Sequence, residues 1–315
     1  MPSIALTGAT GFVGRVVLQR LRSQFKLDHV RVLVRNSAER SLASPFDQVE
    51  VIDGDLSDAD ALRRLVDGCD AVVHLAAAIA GNAVEDFDRV NVEGTQRLIE
   101  ALSERTPRAH LIKISSLAAR EPALSWYSAS KARAEQCVLK SGLRYSILRP
   151  PAVYGPGDPA LADFWRFLAR GWLLRLGPDA ARFSLLHVED LAEATARLVE
   201  HGPTEQTMTL HDGHCADGQN GWRWSDLAHL AEVIGGRSVR VVPIHSSLLY
   251  VIAAINLQRA KLFGPPAMLN PGKHRELIHP DWVCDNRRIA DCLAWQPTTT
   301  LRQTLDTLPG WTNPH

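Results

Sequence analysis

Short apolar runs alternate with amphipathic stretches over the first half of the chain. The apolar runs lie at 3–7, 30–34, 49–53, 71–76, 110–115 and 144–149. Stretches with apolar residues three or four positions apart, which is the helical spacing, lie at 16–25, 61–66, about 84–103 and 125–140. Strands that alternate with helices predict βαβ crossovers and a parallel sheet covered on both faces. The predicted fold class is therefore α/β, with a doubly wound parallel sheet.

The alternation stops at Pro150. The sequence RPPAVYGPGDP at 149–159 is rich in proline and glycine and predicts a loop. Helical patterns then dominate, with scattered strands. We predict a first domain over 1–150, to which a later segment at about 184–200 returns, and a second, mostly helical domain over 151–315.

Composition excludes several classes of function. The chain has 315 residues, of which 45% are hydrophobic, as in globular rather than disordered proteins. Lys and Arg together number 35, as do Asp and Glu, so the sequence lacks the basic excess of nucleic-acid-binding proteins and no nucleic-acid partner is expected. Five cysteines without a CxxC pair favour a reducing cytoplasm over a disulfide framework.

The sequence predicts neither a membrane span nor a metal centre. No leader is expected before the first strand, and the longest apolar stretch, LLYVIAAINL at 248–257, is about half of the ~20 residues needed to cross a bilayer. His211, His214 and Cys215 lie close together, but no fourth ligand follows at zinc spacing. We interpret them as part of a polar loop.

The sequence TGATGFVG at 7–14 joins the first predicted strand to the first predicted helix. Gly8 suits a tight turn, Gly11 lets the backbone approach a pyrophosphate, and Gly14 lets the helix pack close to the sheet. The helix N-terminus then offers free N–H groups and the positive end of its dipole to an anion. This strand–turn–helix context predicts a Rossmann-type dinucleotide-binding domain over 1–150, which leaves 151–315 mainly for substrate binding.

Residues after the second and third strands indicate which dinucleotide is bound. NAD sites usually have an acidic residue at the end of the second strand, whereas this chain has Arg35 and Asn36, which suit the 2′-phosphate of NADP(H). The alternative for Arg35 is an ordinary surface cation. Asp55 could accept a hydrogen bond from the adenine amine. We predict NADP(H) in preference to NAD(H), with further cofactor contacts from Thr10, Phe12, Val13, Leu56, Leu75, Ala76 and Ala77; His74, beside them, is interpreted as a packed residue.

Tyr127 and Lys131 lie four residues apart on a predicted helix and therefore share one face. Ser115 and Ser116 end the preceding strand, at the carboxyl edge where such sheets bind ligands. The ordinary pKa of a phenol, near ~10, is too high for proton transfer at neutral pH, and a nearby lysine cation lowers it. We predict Ser116, Tyr127 and Lys131 as catalytic residues, with Ser115 as the less favoured serine.

Six motifs occur in one order along nearly the whole chain: TGATGFVG, HLAA (74–77), Ser116, YSASK (127–131), RPPAVYGPGD (149–158) and HVEDLA (187–192). Together they resemble the extended short-chain dehydrogenase/reductases, which are related to NAD(P)-dependent epimerases and dehydratases. The resemblance implies an NAD(P)-dependent oxidoreductase in which Tyr127 is the acid/base and Lys131 both its pKa partner and a ribose anchor.

The same resemblance implies roles for other residues. Ser115 and the segment from Pro150 to Val153 would contact the cofactor, the latter at the nicotinamide. Asn91, in NVEGT, would support the active-site strand. A homodimer would form through the helices at about 84–103 and 125–140.

Two positions depart from the nucleotide-sugar enzymes of that family. Those enzymes usually have RxxNxYGP after the sixth strand, and Ala152 replaces the Asn that contacts the sugar nucleotide. In the dehydratases of that family, the catalytic Ser or Thr is followed directly by Asp and Glu. Here Leu117 and Ala118 follow Ser116, and neither can act as an acid or a base.

The C-terminal half points to a hydrophobic substrate. The apolar segment at about 246–263 also carries Arg259 and Lys261 near its end. It allows two interpretations. One is a core helix; the other is a helix that lines an acyl-chain groove or lies on a membrane with its cations towards the headgroups. Trp172, Leu173 and Leu174 could extend such an apolar rim. The run at 269–295, LNPGKHRELIHPDWVCDNRRIADCLAW, resembles bacterial ketoreductases of sphingolipid (ceramide) synthesis.

Three hypotheses follow. The leading one is a cytoplasmic, NADPH-dependent ketoreductase, at the inner face of the membrane, acting on a long-chain lipid of 3-oxo-sphingoid or 3-oxo-ceramide type. The second is a nucleotide-sugar epimerase or reductase, in which a group of arginines would grip a diphosphate: Arg166, Arg170, Arg175 and Arg182. The third is a non-catalytic scaffold with a bound cofactor.

Overall fold

The computed structural model describes residues 2–25, 29–35 and 49–311. Within these ranges seven parallel strands form one sheet, in the order β11-β6-β5-β4-β1-β2-β3. The strands are β1 (Ser3–Thr7), β2 (His29–Val34), β3 (Val49–Asp53), β4 (Ala71–His74), β5 (His110–Ile114), β6 (Tyr145–Arg149) and β11 (Thr207–Thr209). This Rossmann-like architecture confirms the predicted fold class.

Helices cover both faces of the sheet, and each face has its own apolar core. One face carries α1 (Phe12–Gln24) and α7 (Val188–His201). The other carries α2 (Ala59–Val66), α4 (Gly94–Arg105) and α5 (Trp126–Leu139). Because the chain places β2 and β3 on one side of β1 and β4 to β6 on the other, the strand order reverses between β1 and β4. Ligands of doubly wound sheets bind at this switch point.

Three predicted elements differ from those observed. The helix predicted over 84–103 consists of α3 (Val84–Phe87), a π-helical turn (Asp88–Glu93) and α4, because the apolar spacing does not reveal a change in helical pitch. The helix predicted from residue 16 begins at Phe12. The loop predicted over 149–159 contains a short strand, β7 (Ala152–Tyr154), which pairs in parallel with β10 (Leu185–His187).

The chain returns to the sheet after residue 150. Helix α7 packs on α1, β11 pairs with β6, and the indole of Trp295 is fully buried in the same core. Asp190 on α7 accepts hydrogen bonds from the backbone N–H groups of Thr298 and Thr299, each at 3.0 Å. These contacts join the C-terminal segment to helix α7 on the seven-stranded sheet.

The remaining elements include a second layer with its own apolar core around Trp165 and Leu227, and one helix, Arg287–Leu293, that packs instead on the core beneath α1 and α7. The helices are α6 (Ala162–Ala169), α8 (Trp224–Gly235), α9 (Ser246–Phe263), α10 (Pro271–Ile278), α11 (Arg287–Leu293) and α12 (Leu301–Thr304). The strands are β8 (Trp172–Leu176), β9 (Arg182–Phe183), β12 (Cys215–Ala216), β13 (Gln219–Asn220), β14 (Trp222–Arg223), β15 (Arg240–Ile244) and β16 (Asp281–Trp282). Two 3₁₀ turns complete the elements, at Leu117–Arg120 and Leu305–Thr307.

For helix α9 the apolar sequence allowed two interpretations, a core helix or a helix facing lipid. Leu249, Ala253 and Leu257, spaced four residues apart, form its buried stripe. Much of its remaining apolar surface faces solvent, so an ordinary core helix is not what forms. No helix in the described ranges is both long enough and apolar enough to traverse a bilayer.

Candidate active site

The glycine turn between β1 and α1 is too tight for other side chains at two positions. Gly8 has φ +75°, and a Cβ there would lie 2.7 Å from the backbone nitrogen of Ala76. A Cβ on Gly14 would lie 2.0 Å from the carbonyl oxygen of Gly8, so Gly14 lets the helix approach the turn itself rather than the sheet. Both positions therefore require glycine, which agrees with the predicted motif although the reason for Gly14 differs.

The N-terminus of α1 is open to an anion. Gly11 is the N-cap residue and supplies no side-chain hydrogen bond, and the first turn contains no acidic residue. Thr10, Phe12 and Val13 are partly exposed around it. A pyrophosphate group fits this end of the helix, because the first-turn N–H groups lack side-chain acceptors and the helix dipole attracts negative charge.

Arg35 and Asp55 lie at the carboxyl ends of neighbouring strands. Arg35 is exposed immediately after β2, while Asn36 lies outside the described residues. Hydrogen bonds from Ser57 lower the pKa of Asp55, and the positive charge of Arg35 lowers it further. Asp55 accepts from the Ser57 N–H at 2.7 Å, and Leu56 beside it is buried. The structure thus brings these two predicted nucleotide contacts to one edge.

The segment after β4 is held against the glycine turn. The hydroxyl of Thr7 accepts from the N–H of Ala76 at 3.3 Å and hydrogen-bonds to Nδ1 of His74 at 2.6 Å. His74 is fully buried, and Nε2 contacts the Thr95 hydroxyl at 3.0 Å. His74 is therefore a packed structural residue, as predicted, and Leu75 to Ala77 remain beside the turn.

Tyr127 and Lys131 lie on the first turns of α5, which begins after the N-cap residue Ser125. The Ser125 hydroxyl accepts from the N–H of Ser128 at 2.9 Å and so fixes the start of the helix. The side chain of Ser116 lies close enough to the phenol of Tyr127 to lower its pKa. Lys131 is buried and donates from Nζ to the carbonyl of Ile114 at 3.0 Å, at the end of β5. The structure brings the three predicted catalytic residues together.

The two adjacent serines have different partners. The Ser115 hydroxyl donates to the buried carboxylate of Glu135, which also pairs with the guanidinium of Arg149. Ser116 Oγ accepts a hydrogen bond from the N–H of Ala118 at 3.2 Å, in addition to its contact with Tyr127. Ser116 is therefore the serine that faces the phenol.

The pKa of Tyr127 is raised to about 12 rather than lowered. Burial is the main cause, and the carboxylate of Glu276 adds to it, while the hydrogen bond with Ser116 acts in the opposite direction. The pKa of Tyr127 in the protein alone therefore lacks the lowering expected from Lys131, and burial is the largest effect on it. The phenol is consequently protonated at neutral pH and is placed to donate a proton.

The pKa of Lys131 is lowered to about 8 by burial, and Glu135 partly offsets this effect. A second buried lysine, Lys113 on β5, donates to the Thr95 hydroxyl at 3.2 Å. Its pKa is also lowered by burial and by the charge of Lys131. The site therefore rests on two ammonium groups that are costly to bury and that repel each other.

Asn91 joins the segment after β4 to the catalytic helix. Its side-chain oxygen accepts from the N–H of Ala78 at 2.7 Å, and its Nδ2 donates to the Ala78 carbonyl and to the Ser130 hydroxyl, at 3.0 and 2.8 Å. Ser130 in turn donates to the carbonyl of Tyr127 at 2.8 Å. Asn91 lies in the π-helical turn, and such turns often occur at functional sites.

Helix α10 supplies two site residues that the sequence did not indicate. The buried carboxylate of Glu276 accepts from Ser128 Oγ at 3.1 Å and pairs with Lys273 at 2.8 Å; Ser125 also donates to it. Nζ of Lys273 lies 6.0 Å from the centre of the Tyr127 ring. No spacing in the sequence relates 273–276 to Tyr127, so only the fold reveals these contacts.

A small cleft of about 140 Å³ lies beside the start of the catalytic helix. Its lining comes from α5, α9, α10 and their neighbours: Trp126, Leu257, Pro271, Gly272 and Arg275. Trp126 immediately precedes Tyr127, and about a third of its surface is exposed. The cleft therefore lies between the start of α5 and the inner side of α9.

Two other groups of residues named in the sequence analysis have local partners. Arg166 pairs with Asp163 and Arg175 with Asp179, each within its own local segment, so these cations are already neutralised by neighbours. Among the described residues no three potential metal ligands converge. His214 instead stacks on the ring of Trp222, with the ring centres 3.6 Å apart.

Pro150 and Val153 lie next to the serines. The carbonyl of Pro150 accepts from the N–H of Leu117 at 2.8 Å, so the start of β7 is joined to the turn that follows Ser116. Val153 packs partly buried against the sheet core. Ala152 between them is exposed.

Comparisons with known proteins agree with this arrangement. The model of the NAD dependent epimerase/dehydratase family matches residues 4–210. The ceramide reductase of Caulobacter vibrioides (strain NA1000 / CB15N) is 34% identical over 293 residues, which cover 91% of this chain and 88% of that protein. The 4-hydroxy-2-methyl-3-oxo-4-farnesyl-3,4-dihydroquinoline-1-oxide ketoreductase of Stigmatella aurantiaca is 29% identical over 233 residues, which cover 66% of this chain and 67% of that protein.

A solved structure shows the same fold. The UDP-glucuronic acid 4-epimerase from Bacillus cereus, in complex with UDP-glucuronic acid and NAD, has a TM-score of 0.72 at 19% identity and covers 98% of each chain. With the glycine turn, the Ser–Tyr–Lys set and the family match together, the conclusion is direct: the chain belongs to the NAD dependent epimerase/dehydratase family, within the extended short-chain dehydrogenase/reductases, and is an NAD(P)-dependent oxidoreductase of that kind.

Proposed function

We propose that the protein is an NADPH-dependent ketoreductase that reduces a carbonyl on a long-chain lipid of 3-oxo-sphingoid or 3-oxo-ceramide type. The observation that carries the proposal is the convergence of Ser116, the protonated phenol of Tyr127 and the buried Lys131 at the end of β5. A phenol that stays protonated suits reduction, since reduction of a ketone requires a proton donor at the new hydroxyl.

Each of these three residues has one role in the proposed reaction. When bound, the reduced nicotinamide supplies a hydride to the carbonyl carbon. The Ser116 hydroxyl donates a hydrogen bond to the carbonyl oxygen and polarises it. Tyr127 then transfers its phenolic proton to that oxygen, which becomes an alcohol. The charge of Lys131 stabilises the phenolate that remains.

The cofactor is expected to lie along the carboxyl edge of the sheet. The open N-terminus of α1 would hold the pyrophosphate, and Lys131 would anchor the ribose. Further contacts would come from Ser115, Leu75 to Ala77, Pro150 and Val153. Arg35 would attract the 2′-phosphate that distinguishes NADPH from NADH.

Substitution of Arg35 tests this preference. Arg35→Ala should weaken NADPH binding at least ~tenfold, since a charge-assisted contact is worth about 1.5–3 kcal/mol, and should leave NADH binding nearly unchanged. Fluorescence titration with both cofactors measures the effect. Arg63→Ala, at an exposed arginine of α2 paired with Glu104, is the matched control. Equal or tighter binding of NADH by the unaltered protein would contradict the NADP assignment.

The lipid substrate is supported by what the site lacks and by the relatives. Ala152 cannot donate the hydrogen bond that a sugar nucleotide receives at this position, and Leu117 and Ala118 offer no acid or base for dehydration. Both neutral residues after Ser116 are buried. The relative with 34% identity is a ceramide reductase, and the second reduces a farnesylated compound according to its name.

The direct experiment supplies NADPH and a 3-oxo-sphingoid lipid in detergent micelles and follows both NADPH oxidation and the 3-hydroxy product by mass spectrometry. Tyr127→Phe should lower kcat by a factor on the order of 10² to 10⁴ while cofactor affinity is nearly retained, because only the proton donor is lost. Val233→Ser, at an exposed position of α8, is a control. Full activity of Tyr127→Phe would contradict the mechanism, and turnover of UDP-sugars but not of the lipid would contradict the substrate class.

A further inference from the structure

Helix α9 exposes an unusual concentration of large apolar side chains. Among the described residues, nine of the fifteen exposed large hydrophobic side chains lie between Val241 and Met268. Those on the side of α9 away from the protein form what we call the α9 surface: Leu248, Val251, Ile252, Ile255, Leu262 and Phe263. An apolar patch of this kind marks a site of contact with another surface.

The charge of this part of the chain is uniform. Six Lys or Arg residues and no Asp or Glu occur between Glu232 and Glu276, in a protein whose formal net charge is zero. Arg259 follows Ile255 by four residues and precedes Leu262 by three, so the cation lies on the same side of the helix as the apolar residues. Two copies of this face would repel each other, whereas an anionic surface would attract it.

The opposite side of α9 lines the cleft beside the start of α5. Leu257, in the buried stripe, lines the cleft of about 140 Å³ together with Trp126, the residue before Tyr127. Helix α9 also packs on α10, where the ring of Tyr250 meets His274 edge-on at 5.6 Å between centres. A single helix thus separates the exposed apolar patch from the cleft at the start of α5.

We propose that the α9 surface docks on an anionic lipid bilayer, with its apolar side chains below the headgroups and its cations among them. Docking would place the cleft next to the leaflet, so that a long-chain substrate could enter without its alkyl chain crossing water. The docking itself stands independently, and this route for the substrate rests on the proposed function.

Vesicle flotation with the full-length protein and no substrate tests the docking. The protein should float with vesicles of phosphatidylcholine and phosphatidylglycerol in equal parts, less with phosphatidylcholine alone, and less as salt rises. The double substitution Ile255→Ser with Leu262→Ser should weaken binding at least ~tenfold, as should Arg259→Ser with Lys261→Ser. The control double substitution is Val233→Ser with Leu139→Ser, at comparably exposed positions on other helices, and it should leave binding unchanged.

The other outcomes each overturn the proposal. Failure of the unaltered protein to float with either vesicle excludes a lipid surface. Equal binding by the control and the Ile255/Leu262 variant excludes this face. A dimer seen by sedimentation that the Ile255/Leu262 substitutions dissociate, without flotation, identifies the face as an interface between copies.

A second measurement separates docking from the proposed reaction. With a keto lipid embedded in vesicles, the Ile255/Leu262 variant should lose most of its turnover, yet it should keep normal turnover of a short-chain β-keto analogue that dissolves in water. Equal turnover of the embedded lipid by variant and unaltered protein would overturn the entry route. If no keto lipid is reduced at all while flotation persists, the proposed function fails and the docking surface stands.

Discussion

At the scale of single residues, two side chains define the site, and burial shifts their pKa values in opposite directions. Tyr127 keeps its proton because burial raises its pKa to about 12, and Lys131 stays charged at neutral pH but loses its proton more readily because burial lowers its pKa to about 8. Pattern alone identified both residues, since a spacing of four on a helix fixes their common face. It could not give the sign of the phenol's pKa shift, which depends on the depth at which the fold buries it.

The activity should respond to the titration of Lys131. As pH rises through about 8, the ammonium loses its proton, the developing phenolate loses a favourable charge, and kcat should fall. The neighbours that face Lys131 are Glu135, which favours the charged form, and Lys113, which opposes it. A pH–rate profile measures the decline. Lys131→Arg should remove this limb, because arginine stays charged, and a limb that persists in the variant would contradict the assignment.

The same shift has a consequence for stability. The folded-state pKa of Lys131 lies below its ordinary value of 10.5, so the unfolded chain binds more protons between about 8 and 10.5. Lys131 therefore makes folding less favourable at neutral pH, and this contribution is relieved as pH rises through that window.

At the scale of elements, the sequence located six of the seven strands of the sheet but missed the seventh, β11, and local irregularities. Alternating apolar runs identify buried parallel strands, which is why β1 to β6 appear where they were predicted. Strand β7 was missed because it has only three residues, with two prolines before it and a Gly-Pro-Gly sequence after it. The π-helical turn was missed because one extra residue per turn barely alters an apolar pattern.

That π-helical turn should matter for catalysis through Asn91. Asn91→Ala removes the hydrogen bonds to Ala78 and to Ser130, so the catalytic helix and the segment after β4 lose a common support. We expect kcat to fall on the order of tenfold to a hundredfold, with a smaller change in cofactor affinity, since misplacement of reacting groups is costly. Steady-state kinetics and cofactor titration measure both. Glu100→Ala, exposed on α4, should change neither, and an unaltered kcat in Asn91→Ala would contradict the role.

At the scale of the whole molecule, the C-terminal residues contribute to the site in ways no motif indicates. Glu276 and Lys273 reach the catalytic helix across nearly 150 residues of sequence, as the contact between Glu276 and Ser128 shows. Local patterns report neighbours along the chain, whereas such contacts depend on how the layers assemble. The exposed face of α9 belongs to the same class, because an apolar sequence does not say which side is covered.

The tether at Asp190 should hold these layers together. Asp190 is buried and accepts from both N–H groups of 298–299 and from the Thr298 hydroxyl at 2.9 Å. Asp190→Ala should lower the free energy of unfolding by about 2–3 kcal/mol, because hydrogen bonds to a charged group are lost and their partners are left unpaired. Denaturant titration measures it. Asp179→Ala, at an exposed ion pair, should change it by under ~1 kcal/mol, and equal effects would contradict the tether.

Two arginine contacts show that residues 1–150 depend on the rest of the chain for the shape of the candidate active site. Arg120, in the turn after Ser116, donates to the carbonyl of Val283 at 2.6 Å, and Arg275 donates to the carbonyl of Leu124 at 2.6 Å. The segment from Ser116 to the start of α5 is thus held by hydrogen bonds with residues of the last third of the chain. Residues 1–150 grafted alone onto another protein would therefore lack the contacts that hold the segment between Ser116 and Tyr127 in place.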